Sequence, residues 1–159
     1  MKKITPQRLK NIAFYYLERY DASSQKLRMV LKRRLIKASQ EAPVPKDAEK
    51  WIEEVIQEMK QLGYINDRRF SENLVRRLTG TGKSRSFIRS KLKIAGIEED
   101  EINAVLADTD ELSSARLLVQ KKHLGDDFKR DLARLARAGF SYEIAREALE
   151  EVCHPEEEF

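Results

Sequence analysis

Ile52, Val55, Ile56, Met59 and Leu62 fall at i, i+3, i+4, i+7 and i+10, which puts all five on one face of an α-helix. Helical spacing recurs along the chain. No stretch alternates apolar and polar residues for long enough to predict a strand. Ser23, Ser84 and Asp47 stand just before helical runs, where a side-chain oxygen can accept from free backbone N–H groups. Gly63, Gly96 and Gly139 follow helical runs as stop signals. The pattern predicts an all-α protein.

The helices repeat. Sliding the chain by 43 residues lays Leu74-Val75 over Leu117-Leu118, Leu92 over Leu135, and Val105-Leu106 over Ala148-Leu149. It also lays Ala95-Gly96-Ile97 over Ala138-Gly139-Phe140 without a gap. A shift of 61 lays Ala13-Phe14 over Leu74-Val75, Ser23 over Ser84, Leu27-Arg28 over Ile88-Arg89 and Leu31-Lys32 over Leu92-Lys93. Past residue 50 the register returns at a shift of 50, with Ile52, Val55 and Ile56 over Ile102, Val105 and Leu106. An insertion of 11 residues in the first copy, marked by Pro43 and Pro45, accounts for the change. The predicted organisation is a tandem array of three three-helix, helix-turn-helix-like repeats at 1–65, 66–108 and 109–152, with an acidic tail at 153–159. A repeat of about 43 residues is close to the lower limit for folding alone, so neighbours are expected to share a core.

Charge follows the same repeat. Residues 1–40 hold 11 Lys/Arg against 2 Asp/Glu, and 41–66 hold 3 against 6. Residues 67–93 hold 9 against 2, and 94–114 hold none against 7. Residues 115–137 hold 7 against 3, and 138–159 hold 1 against 7. Each copy therefore pairs a basic start with an acidic third helix.

"LTGTGKSRS" at 78–86 has the look of a phosphate-binding loop. The motif needs a glycine five residues before Gly82, and that position is Arg77. Such a loop also follows a buried strand, whereas a charged helix, "DRRFSENLVRRL", precedes this one. The segment reads as a turn, and no nucleotide or other cofactor site is expected. Cys153-His154 has no second Cys/His pair to complete a metal site, and a single cysteine forms no internal disulfide. No run approaches the roughly 20 apolar residues of a membrane span, so a cytoplasmic protein is expected.

Three stretches carry a family resemblance: "QLGYINDRRFSENLVRRL", "SRSFIRSKLKIAGI" and "LARLARAGFSYEIAREAL". Together, in this order over roughly 10–152, they resemble the RecX family of RecA regulators. The first repeat departs from the family's short turn, having the longer insert at 36–50 instead. The resemblance implies an elongated, curved array without catalytic activity that lies in the groove of a RecA–DNA filament. It also implies suppression of RecA's ATPase and strand exchange in recombination and repair. A monomer that meets the RecA filament, with unspecific contact to single- or double-stranded DNA, is the expected form. The alternative is a backbone-directed nucleic-acid-binding array with no RecA role.

The candidate contact residues are basic. The middle repeat supplies Arg68, Arg69, Arg76, Arg77, Lys83, Arg85, Arg89, Lys91 and Lys93. Arg85, Arg89 and Lys93 are four apart and share a helical face, and Arg28 and Lys32 occupy matching places in the first repeat. The third repeat breaks this stripe with Leu132 and Ala136 and offers Lys121, Lys122, Lys129 and Arg130 instead. Of the aromatic group near the N-terminus, Phe14 and Tyr16 are expected in the core, with Tyr15 or Tyr20 left exposed.

Overall fold

The computed structural model describes residues 3–153, so His154 and the rest of the acidic tail lie outside the described residues. Among the described residues there are nine α-helices and no strand. They are α1 (Pro6–Leu17), α2 (Ser24–Glu41), α3 (Ala48–Gln61), α4 (Asp67–Thr79), α5 (Arg85–Ile94), α6 (Glu99–Leu106), α7 (Glu111–Lys122), α8 (Phe128–Arg137) and α9 (Tyr142–Cys153). The chain forms two compact units. The first runs to Phe70 and takes in Ala95–Ile97; the second holds Ser71–Ile94 and the chain from Glu98 on.

In the first unit, Leu9 and Ala13 of α1, Leu27 and Leu31 of α2, and Ile52, Val55, Ile56 and Met59 of α3 form one buried cluster. These are the i, i+4 pairs that the sequence spacing predicts. Phe14 and Tyr16 pack against this core, while Tyr15 and Tyr20 stay exposed. In the second unit, Ile88 and Leu92 of α5 and Ile102 and Leu106 of α6 are buried. Leu135 of α8, Ala145 and Leu149 of α9, and Phe140 between them close a second cluster with Ala115 and Val119 of α7. Each fully buried leucine or isoleucine contributes roughly 1.5–3 kcal/mol by leaving water.

Two serines join successive repeats. The Ser23 Oγ accepts from the Lys26 N–H at 3.2 Å and donates to the Ala95 carbonyl at 2.6 Å. The Ser84 Oγ accepts from the Phe87 N–H at 3.1 Å and donates to the Ala138 carbonyl at 2.8 Å. Each hydroxyl caps its own helix and anchors the turn that follows the next repeat's second helix. The glycine after each alanine is needed there. Gly96 has φ +76, and a Cβ on it would lie 2.5 Å from the Gln25 Cβ; Gly139 has φ +97, and its Cβ would lie 2.5 Å from the Ser84 Oγ.

Asp47 differs from the expectation: its side chain makes no capping bond. Capping needs an extended backbone at the N-cap, and Asp47 sits at φ −82, ψ 0 in the turn closed by the Ala48 N–H on the Pro45 carbonyl. The "LTGTGKSRS" segment is a helix end and a turn, with Gly82 at φ +80 and Ser84 as the next cap. A Cβ on Gly82 would stand 3.2 Å from the Leu118 N–H nitrogen, so this turn packs against α7.

Candidate contact surface

The candidate cations divide into those held by neighbours and those presented outward. In the first unit Arg28 is held. Its guanidinium donates to both Glu53 oxygens on α3, and also to the Gln25 side chain. The hydrogen bond from Arg28 keeps the Glu53 carboxyl below its ordinary value against the opposing effect of burial, and the fields of Arg28, Lys32 and Lys60 add to it. The same bond raises Arg28 further above its already high value. Lys32, one turn on, is exposed. Arg69 donates to the Gly63 carbonyl at 3.3 Å, closing the end of α3, and Arg68 beside it is exposed.

In the second unit, α5 has two basic faces with different roles. On one, Arg85 donates to the Thr109 hydroxyl at 3.0 Å and the Thr109 carbonyl at 2.7 Å, bracing α5 against the turn before α7. On the same face Arg89 pairs with Glu99 on α6, and Lys93 lies 3.4 Å from the other oxygen of Glu99. The stripe that the sequence marks is therefore largely turned to the acidic third helix of its own repeat. Partly exposed ion pairs of this kind contribute about 0–1 kcal/mol each.

The opposite face of α5, about 200° round the helix, carries Phe87 and Lys91, and Lys83 stands four residues before Phe87 in the turn that leads into the helix. The two ammonium groups lie over the Phe87 ring, 4.9 and 5.3 Å from its centroid. Among the described residues no carboxylate pairs with either lysine. Ile94, seven residues past Phe87 on that face, is 74% exposed. An exposed cation–π contact is worth about 0.5–1 kcal/mol, so it holds the lysines in place yet yields to a phosphate or carboxylate. Arg76 and Arg77, at the end of α4, are also exposed and have no side-chain partner among the described residues.

The remaining candidates sit around α7 and α8. Lys121 and Lys122 are exposed in the last turn of α7, and Lys129 is exposed in the first turn of α8. Arg130 and Arg134 flank the buried Asp131 carboxylate at 3.5 and 3.7 Å. That carboxylate accepts the Gly125 N–H at 2.8 Å, and this bond, with the Arg130 guanidinium nearby, holds Asp131 below the usual carboxylate range although burial opposes it. Leu132 packs against the core of the second unit, which is the physical reason the stripe stops here. Cys153 donates to the Gly125 carbonyl at 3.2 Å, tying the end of α9 to the same turn.

Residues 66–106, which hold α4, α5 and α6, match the family model described as RecX, second three-helix domain. A regulatory protein RecX of Myxococcus xanthus is 32% identical over 164 residues, covering 94% of this chain and 88% of that protein. The chain belongs to the RecX family. A second RecX relative, from Trichlorobacter lovleyi, is 30% identical over 127 residues, covering 72% of this chain and 80% of that protein. The fold agrees as well. The crystal structure of RecX from Lactobacillus salivarius superimposes with a TM-score of 0.71 at 21% identity, over 92% of this chain and 96% of that one.

These RecX relatives are named as regulatory proteins rather than for a reaction. The segment matched to the second RecX domain contains the whole Lys83–Phe87–Lys91 face. Sequence reasoning listed both lysines and missed the aromatic ring between them. The signal was present in the four-residue spacing, one face over from the stripe. Among the described residues no helix is long and apolar enough to cross a membrane.

Proposed function

We propose that this protein regulates RecA by binding the RecA–single-stranded-DNA filament, lowering its ATPase and strand-exchange activity and favouring disassembly. Membership of the RecX family supports the partner. The observation that carries the mode of contact is the Lys83–Phe87–Lys91 face, whose cations are poised on an aromatic ring with no acid paired to them among the described residues. On this reading that face and the nearby Arg76 and Arg77 meet phosphates or acidic protein surface, while Arg28, Arg85 and Arg89 hold the repeats in shape. The chain acts as a monomer in the cytoplasm and without catalysis. Its three repeats, ending near 65, 108 and 152, meet successive parts of a repeating surface, so weak contacts add as in any multivalent binder. A binder shifts a filament only by preferring one of its states.

The test is the DNA-dependent ATPase of the cognate RecA, with the protein titrated in below one per RecA and excess DNA as a control. Suppression at substoichiometric amounts that extra DNA does not relieve is the expected result. Lys83→Glu with Lys91→Glu should weaken it at least tenfold while leaving the helical content unchanged. Suppression that appears only at stoichiometric amounts, and that extra DNA relieves, would instead mean competition for the strand by a nucleic-acid-binding array. No effect would remove RecA as the partner.

A further inference from the structure

The insertion in the first repeat helps to build a hollow. By the 61-residue register α5 ends opposite Arg33, yet α2 runs on to Glu41 before the chain turns through Pro43-Val44-Pro45. This extra helix and turn supply most of the lining of a concavity of about 440 Å³, and Lys3, Ile4, Arg8 and Ile12 supply the rest. Its size falls within the range of small ligand sites, roughly 300–1,000 Å³.

The lining has two parts. Ile4, Ile12, Ala38 and Val44 give it an aliphatic floor, and Val44, between the two prolines, packs against the core. Round the rim stand four cations, Lys3 and Arg8 from the α1 side and Arg34 and Lys37 from α2, against Glu41 alone. Arg34 and Lys37 are exposed and have no partner among the described residues. A phosphate-bearing nucleotide fits this poorly. The lining contains no aromatic ring to stack a base and no glycine to form an amide cradle. An apolar floor between two basic rims instead matches a side chain with acids on both sides of it.

We propose that this hollow is a docking site for a short acidic peptide segment of another protein. One aliphatic side chain of that segment seats on Ile4, Ile12, Ala38 and Val44. Its carboxylates accept from Arg34 and Lys37 on one side and from Lys3 on the other, the Arg34 guanidinium donating in forked geometry. The site is built from the first unit's own residues and does not depend on what the Lys83–Phe87–Lys91 face of the second unit binds.

Fluorescence anisotropy of a labelled ten-residue peptide alternating glutamate and leucine, titrated with the full chain, tests it. Saturable binding is expected, weakened at least tenfold by Arg34→Glu with Lys37→Glu and less by Arg34→Gln with Lys37→Gln. Lys83→Glu with Lys91→Glu should leave the affinity within twofold. The matching lysine–leucine peptide should not bind. Three results would overturn the proposal: no saturation with the wild-type chain, equal affinity for a peptide of glutamate and serine, or unchanged binding by both Arg34/Lys37 variants. Displacement of the peptide by oligothymidylate, lost in the charge-reversed variant, would make the hollow a nucleic-acid site and overturn it too.

Discussion

Helices α5 and α8 are the second helices of successive repeats, equal in length at 10 residues and aligned at a shift of 43. Two of the differences between them bear on docking. Ser84 at the α5 cap is matched by Asp127 at the α8 cap, and each accepts the N–H three residues on, at 3.1 Å in both. Only the serine also donates, to the Ala138 carbonyl. An ionised carboxylate has no proton to give, so Asp127 keeps the cap and cannot make the joint. One turn along, fully buried Ile88 is matched by fully buried Asp131, which closes on the Gly125 N–H instead of on hydrocarbon. α2 sides with α5 at both places, having Ser23 and Leu27. Helix formation thus tolerates either pair of residues, and docking of a following repeat separates them.

Exchanging the buried residues should do the most. Ile88→Asp puts a carboxylate at a fully buried position and removes the apolar contact. The expected loss is on the order of 5 kcal/mol, comparable to the whole stability of a small domain. Chemical denaturation would show a chain largely unfolded at 25 °C. A well-folded variant would mean that the α5 position relaxes as α8 does.

Gly139→Ala comes next. It forces a β-carbon into the left-handed region and into the Ser84 hydroxyl at once, for about 3 kcal/mol. Ser84→Ala removes the cap and strands the Ala138 carbonyl, for roughly 1–3 kcal/mol by the same measurement. If the glycine acts through the serine, the double variant falls well short of the sum of the two.

Asp131→Asn should have the smallest effect, and one that depends on pH. Asp131 titrates below its unfolded value of about 3.9, so its stabilisation is complete above that pH and is lost as pH falls through the native value. The variant should therefore be less stable than the wild type at neutral pH. The gap in melting temperature should close on acidification. A constant gap would mean that neither the Gly125 N–H nor Arg130 favours the charged form of Asp131.

Much of this was legible from spacing. The helices, the threefold register, the serine caps and the buried apolar positions all follow from local period and turn chemistry, which each repeat restates. Asp47 was misread because its residue type favours capping while its backbone, set by the preceding turn, does not. The partners of Arg85 and Arg89 were hidden for another reason. Thr109 and Glu99 reach them only when α5 packs beside the acidic helix and the turn beyond it. Sequence grouped these cations by sign and period, whereas the structure groups them by what lies opposite. Asp131 gave a readable warning, being an acid at the register position of Leu27 and Ile88.

Ser23 and Ser84 have a consequence for how the chain assembles. Before the next turn arrives, each hydroxyl proton is free to rotate among several acceptors, water included. Once Ala95 or Ala138 docks, it has one direction. The oxygen that receives the helix's own N–H is polarised by giving its proton away, so helix start and docking strengthen each other. Order in one repeat is in this way handed to the next, and a break at either serine should let the repeats melt in sequence rather than together.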